Sequence, residues 1–424
     1  MTDALHVIWN NISWHTFSWD AIHSNPDYRV WKWVAIIAAL VTWGHVWMAL
    51  KMVFYPIKFW GFHIGPIPVG WQGIVPRKAG KISGIVVDQT ISKLGSLGEI
   101  IGEMDPQEMG DFMAKELMSR IEEFIDEVMA ERNALLWENL PVSIKRRVYA
   151  QVRKQMPEIM NLLIKDITTH IESLVDVKEM IVRQMEGDRS LMVKMFLKVG
   201  QKEIDFIWNV SFFIGFFFGL VQMVIWLIVP YHWTLVIWAA IWGFLTNWLA
   251  IWMVFNPINP HKFLGITFHG AFMRRQKEVS TVFTEITTHD MLSVRHIMHE
   301  ALFGKRADRT RKIIKRHVGR MMEAPMVRTV VQLAVGWDAY AKLKNTIVEK
   351  SIIATMEPLA QPEFNASRAR KVSVIFIDRM LKLTPLEFQN LLRPAFQEDE
   401  WILILLGGVT GAIAGSLQLW IGFR

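Results

Sequence analysis

The chain states one pattern twice. Residues 47–56 read WMALKMVFYP and residues 248–257 read WLAIWMVFNP, so Trp47, Ala49, Met52, Val53, Phe54 and Pro56 return as Trp248, Ala250, Met253, Val254, Phe255 and Pro257. Beyond the proline, Gly73, Arg77, Lys78 and Ser83 return as Gly270, Arg274, Arg275 and Ser280. The closing Gly215-x-x-x-Gly219-x-x-Gln222 returns as Gly411-x-x-x-Gly415-x-x-Gln418. A repeat this long predicts one architectural unit used twice. Both matching ends lie in apolar stretches of membrane-spanning length.

Those stretches are 33–54, 206–229, 233–255 and 401–422. Each reaches the roughly 20 residues that cross about 30 Å of hydrocarbon. Trp, Tyr and His at their breaks favour the membrane–water interface. The expected fold is therefore an all-α polytopic membrane protein with four transmembrane helices and two amphipathic helical extramembrane domains, arranged as a tandem parallel repeat. The expected plan is an interfacial N-terminal segment (1–32), transmembrane helix 1 (33–54), a first helical domain (55–205) and transmembrane helix 2 (206–229). Transmembrane helix 3 (233–255), a second helical domain (256–400) and transmembrane helix 4 (401–422) follow. The join Pro230-Tyr231-His232 is short enough only for a hairpin, which puts both polar domains on one side of the membrane. That side carries Lys51, Lys58, Lys198, Lys202, Lys262, Arg274 and Arg275 near the spans, against Arg29, Lys32 and Arg424 on the other. The positive-inside rule then favours cytoplasmic domains. Residues 1–30 show no basic n-region or small-residue cleavage site, so no signal peptide is expected.

The polar stretches read as helices. Met109, Phe112, Met113, Leu117, Ile121, Phe124, Ile125, Val128 and Met129 follow three- and four-residue spacing over 107–131. Ile144, Val148, Val152, Met156, Ile159, Leu163, Ile167, Ile171, Leu174 and Ile181 extend the same pattern over 144–186, with Pro157 as an expected kink. Asp105-Pro106-Gln107-Glu108 and Thr384-Pro385-Leu386-Glu387 are helix starts, each with a capping residue, a proline and an acid in order. Helix 188–204 is expected to continue into the second span. The Gly/Pro-rich elbows after spans one and three suggest short extended pieces at the membrane surface.

Gly243, Thr246, Asn247, Trp248, Ala250, Met253, Phe255 and Pro257, the elbow Gly73-Ile74-Val75-Pro76-Arg77-Lys78, and the closing Gly407, Gly408, Gly411 and Gly415 together resemble a bacterial inner-membrane family, domain of unknown function 445. The resemblance covers nearly the whole chain after residue 30. The copies depart from the family pattern in complementary ways: His45-Val46 stands where Thr-Asn is expected, and Phe272-Met273 where Val-Pro is expected. The resemblance implies a multi-pass helical protein of the bacterial inner membrane and carries no reaction.

Three sets of residues are candidates for function. The glycines Gly215, Gly219, Gly407, Gly411 and Gly415, with Asn247, suit close helix packing in lipid, within one chain or at a homo-oligomer seam. The elbow bases Arg77, Lys78, Lys81, Arg274, Arg275 and Lys277 suit lipid headgroups, each worth about 1 kcal/mol near an anionic leaflet. His289, His296, His299 and Glu300 share a helical face, a weak metal candidate without the accompanying base of a catalytic zinc site. His45, Lys51, Gln222, Thr246 and Asn247 are the polar residues inside spans. The chain has no cysteine, which rules out disulfides and thiolate metal sites. Its net charge of +7 comes from bases interleaved with acids and offers no stacking platform for nucleic acid. No P-loop, nucleophile elbow, dinucleotide fingerprint or carboxylate pair is present, so neither an enzyme nor a cofactor is expected.

Four functions stay open. A scaffold or tether organising the envelope with envelope-protein partners, as a homo-oligomer, leads; the 24 methionines suit adaptable apolar surfaces. Lipid handling, with acyl chains along the apolar stripes and elbow bases at headgroups, is the alternative. A transporter and an enzyme follow. The first two differ in what the apolar stripes close upon: protein side chains, or lipid.

Overall fold

A computed structural model describes residues 33–422 apart from 66, 229–232, 264–265, 336, 360 and 394–399. The expected interfacial segment 1–32 and the join at 230–232 lie outside the described residues. The protein is an all-α polytopic membrane protein. Its contacts divide it into two units: residues up to 82 with 188–279 and 384–424, and residues 83–187 with 280–383.

Four helices of the first unit are long and apolar enough to span a membrane: α1 (Val34–Phe54), α10 (Arg189–Ile228), α11 (Thr234–Phe255) and α20 (Glu400–Gly422). The expected approach to the second span is an unbroken part of the 40-residue α10. Helix α1 packs on α10 and α11 on α20, while α10–α11 and α20–α1 contacts close the bundle. Each span keeps a bare apolar stripe: Ile36, Leu40, Trp43 and Trp47 on α1, and Leu405, Val409, Ile413 and Leu417 on α20, are all exposed. A soluble protein would cover such stripes. Here lipid is their solvent, and exposed Trp33, Trp233, Trp401 and Trp420 at span ends fit the interfacial belt.

Inside the bundle the glycines set the spacing. A Cβ at Gly219 would stand 2.6 Å from the Ala35 Cα, and one at Gly215 2.6 Å from the Thr42 Cβ. In the other pair, a Cβ at Gly415 would stand 2.7 Å from the Ala239 Cβ, and Gly407 and Gly411 lie against Gly243, Asn247 and Ala239. The Asn247 side chain donates to the Leu403 carbonyl at 2.8 Å, joining α11 to α20. These glycines and Asn247 thus lie at helix–helix contacts within the chain.

Each elbow is a β-hairpin followed by a short helix. Strands β1 (Trp60–Ile64) and β2 (Ile67–Trp71) pair antiparallel, with Trp60 opposite Trp71, and lead to α2 (Ile74–Arg77). Strands β3 (His261–Phe263) and β4 (Ile266–Phe268) pair likewise and lead to α12 (Ala271–Arg274). Both follow a cis X-Pro bond, at Pro56 and Pro257. Gly73 N donates to the Pro56 carbonyl at 3.0 Å and Gly270 N to the Pro257 carbonyl at 2.9 Å, folding each elbow back onto the end of its span.

The second unit interleaves the two polar stretches of the chain into one core. From the first stretch come α3 (Ala79–Leu94, entering from the first unit), α4 (Leu97–Glu103), α5 (Pro106–Ser119), α6 (Ile121–Glu138), α7 (Val142–Thr169), α8 (Ile171–Leu174) and α9 (Val177–Gly187). From the second come α13 (Gln276–Ile286, also entering from the first unit), a π-turn at Thr287–Met291, α14 (Val294–Phe303), α15 (Ala307–Met322), α16 (Pro325–Val335), α17 (Trp337–Leu359) and α18 (Pro362–Lys382). Helix α19 (Pro385–Leu392) belongs to the first unit. The two long periodic runs are broken where periodicity gives no warning. The 107–131 stripe divides at Arg120, and the 144–186 stripe ends at His170, whose ring lies 2.9 Å from the Asp166 carbonyl. Asp176 then accepts from the Glu179 amide and starts α9. Pro157 sits inside an unbroken α7. The expected caps form: Asp105 accepts from the Glu108 amide at 3.1 Å, and Thr384 with Glu387 completes a capping box.

Candidate functional site

The second unit holds a cavity of about 410 Å³. Its walls come from both stretches: the end of α5 with α6, the middle of α7, the end of α15, α16, and α17. The lining is apolar and rich in methionine, with Met129, Met156, Met160, Met321 and Met322 among Leu117, Ile121, Val152, Leu163, Ile314 and Val331. Side chains that would otherwise complete a packed core diverge here. The volume falls in the roughly 300–1,000 Å³ range of small-molecule pockets. A dry apolar cavity of about 150 Å³ holds benzene, so by proportion this one has room for about 16 carbons.

Polar residues at the cavity are largely neutralised. Lys350 reaches Glu127 and Glu131, each at 2.8 Å, and these two bonds hold its amine above the usual lysine range. Arg120 pairs with Glu123 at 3.2 Å. Behind the wall, Asp126 accepts from the Trp137 indole at 2.9 Å and from the Tyr149 hydroxyl. Burial first, then Asp126, pushes the Tyr149 hydroxyl up. The lining acids Glu116, Glu123 and Glu127 outnumber the bases Arg120 and Lys350.

The elbow bases differ in exposure and in their partners. Arg77 and Arg274 are exposed and pair with no described side chain; Lys81 and Lys277 are exposed, and Lys78 and Arg275 are half-buried. Arg275 is committed to protein. It reaches Glu203 at 2.5 Å and Glu278 at 2.9 Å, and Lys202 reaches Glu278 at 2.6 Å. Bonds from Arg275, then from Lys202, hold the Glu278 carboxyl down to about 2, and Glu278 in turn raises Arg275. Arg275 is therefore a bracket between α10 and its elbow. Arg77 and Arg274 are the elbow arginines with no described side-chain partner.

The histidines do not converge. His289 is exposed in the π-turn, His296 meets Ser293 at 2.9 Å and Gln184 at 3.2 Å, and the His299 ring lies 5.1 Å from that of Phe303. Burial, then Arg295, pushes His296 down. Glu300 pairs with Arg183 at 3.2 Å. Among the described residues no cluster of three His, Asp or Glu side chains has metal-binding geometry.

Sequence reasoning missed the half-buried ion pairs that join the two stretches. Arg368 on α18 bonds to Glu108 and to the Met104 carbonyl at 3.0 Å, and Lys371 reaches Glu108 at 2.9 Å. The Arg368 bond, then that of Lys371, holds the Glu108 carboxyl down to about 2. His317, almost fully buried, meets Asp166 at 2.8 Å and lowers that carboxyl. Local pattern cannot pair residues 150 to 260 positions apart.

Comparison of the chain with protein-family models, with curated proteins and with solved structures finds no match. The functional reading rests on the geometry.

Proposed function

We propose that the protein is a non-enzymatic lipid-binding or lipid-transfer component of the bacterial inner membrane that holds an acyl chain in the cavity of its polar unit, on the cytoplasmic side. The carrying observation is the apolar cavity of about 410 Å³ between helices of the two polar stretches. A scaffold helix bundle has no use for it, because unfilled apolar volume costs roughly 24 cal/mol per Å³ in a protein core. A chain of about 16 methylenes entering water loses about 13 kcal/mol at roughly 0.8 kcal/mol each. An apolar lining spares the chain most of that loss, as a carrier must. The excess of acids over bases in the lining favours a zwitterionic or neutral head over an anionic one.

The test is native mass spectrometry of the whole protein purified in mild detergent. The expected result is retained lipid, zwitterionic over anionic, lost when Ala354→Phe fills the cavity while the melting temperature holds. A lipid-free protein, or retention indifferent to Ala354→Phe, would return the scaffold reading to the front.

A further inference from the structure

A second cavity lies on the axis of the four-helix base, lined by strips from α1, α10, α11 and α20, with a volume of about 40 Å³. Three polar atoms belonging to its lining, the Nε2 atoms of His45, Gln222 and Gln418, have no hydrogen-bond partner among the described residues. His45 and Gln222 are more than nine-tenths buried. Gln222 and Gln418 are the matching glutamines of the two closing motifs.

The chemistry of two of these atoms is fixed by their neighbours. The Trp242 indole only donates, so the Gln222 atom 3.0 Å away is the carbonyl oxygen, leaving the Gln222 amide N–H₂ unspent. His45 Nδ1 lies 3.1 Å from the Val41 carbonyl, which only accepts, so Nδ1 carries the proton and Nε2 of the neutral ring is an acceptor. The cavity thus offers a donor from Gln222, an acceptor from His45, and the amide of Gln418, which can present either end. A metal cation is repelled by the amide donors, and an anion by the imidazole lone pair. Water answers both. Left dry, each of these groups would lose the hydrogen bond that water gives it.

The dimensions agree. The strip on α1 runs from Val34 to His45, about 16 Å at roughly 1.5 Å per residue, or half of the roughly 30 Å hydrocarbon thickness. Helical side chains lean toward their own N-terminus. Helices α1 and α10 are antiparallel, since Gly215 meets Thr42 and Gly219 meets Ala35, so His45 and Gln222 lean toward each other. A water needs roughly 10–15 Å³, so the volume holds about three. Three waters at about 2.8 Å spacing span about 11 Å with their end groups.

The geometry points to a hydrated half-channel: a file of about three waters that enters the bundle where α1 and α11 begin, is held by Gln222 and Gln418, and ends on His45 near mid-membrane. It serves as a water and proton access path to the histidine, and it stands independently of acyl-chain binding.

The chain has no cysteine, so a His45→Cys variant carries a single thiol. In sealed vesicles the probe is Ag⁺, a water-sized thiol ligand, followed by unfolding in detergent and maleimide labelling. Leu40→Cys, on the lipid-exposed stripe of the same helix, is the control. The expected result is that Ag⁺ blocks labelling of the His45→Cys protein at least tenfold, and only from the face where α1 and α11 begin, while the Leu40→Cys protein stays labelled. Equal labelling of the two variants after Ag⁺, or blocking of His45→Cys from the opposite face alone, overturns the half-channel. Should the His45→Cys chain fail to fold, the natural chain is read by NMR in nanodiscs. Exchange cross-peaks from water to the Gln222 and Gln418 side-chain amides are expected, and their absence overturns the proposal.

Discussion

Replacing Gly219 with alanine should prise α1 from α10. The new Cβ would stand 2.6 Å from the Ala35 Cα and 2.9 Å from the Ala38 Cβ. Non-bonded carbons rest at about 3.5–4.0 Å, so the helices must separate by about 1 Å. Backbone lies on both sides, and no side chain can rotate away. Overpacking of this kind costs about 1–3 kcal/mol, against up to about 1 kcal/mol regained from helix propensity. The expected net loss is about 1–2 kcal/mol, or a fall of about 2–8 °C in melting temperature at the roughly 2–4 °C per kcal/mol of large domains. Gly408→Ala is the internal control. Its Cβ would meet nothing closer than the Ala240 carbonyl at 3.6 Å, so it should hold or raise stability. The assay is a tryptophan-fluorescence melt in detergent, with the stacked Trp43 and Trp208, 4.8 Å apart on α1 and α10, reporting the interface. Equal melting of the two variants would refute the close-packing argument. So would a Gly219→Ala protein of unchanged stability whose oligomer size had altered, since that would place the glycine at a seam between copies.

Asn247→Ala should cost about 0.6–1.7 kcal/mol, the range for hydrogen bonds between membrane helices, read as a lower melting temperature from the lost bond to Leu403. Lowering the pH should weaken the polar unit through Glu108, whose carboxyl titrates near 2 in the fold against an ordinary 4.5. The stability it gives is complete above about pH 4.5 and is lost as pH falls toward 2. Because the side chain is half exposed, the contribution is discounted to about 1 kcal/mol. Glu108→Gln should therefore flatten the melting profile over that range. Arg77→Glu with Arg274→Glu should reduce co-purified anionic phospholipid at about 1 kcal/mol per base, measured by native mass spectrometry. Arg275→Met should instead lower the melting temperature, because Arg275 serves Glu203 and Glu278.

The spans were legible because their signal is local. A run of about 20 apolar residues has one physical meaning in lipid, and the expected edges at 54 and 255 coincide with the ends of α1 and α11. The glycine motifs were legible for a related reason: only a missing side chain lets Gly219 approach Ala35. Caps at Asp105 and Thr384 rest on three-residue logic and formed as read. The helix breaks at Arg120 and His170 were not legible, because an apolar stripe continues in phase across a one-residue interruption. The cavity was hidden for a deeper reason. The stripe of α7 is the same whether it meets a fitting neighbour or a diverging one, and what faces Met156 and Met160 is decided by residues more than 150 positions later. Arg275 looked in sequence like one more elbow base, the counterpart of Lys78, and only the position of Glu203 shows its role as a bracket.

The interleaving of the polar unit sets a timetable for its birth. Its first stretch ends at Gly187 and its last helix at Lys382, about 195 residues on. Ribosomes add roughly 5–20 residues per second. For about 10–40 s, then, the nascent chain presents Met129, Val152, Met156 and Leu163 without the full set of helices from the second stretch to cover them. During that interval the chain is a half-built apolar surface in water. Its survival depends on a chaperone, on the nearby bilayer, or on a lipid that arrives before the second stretch does.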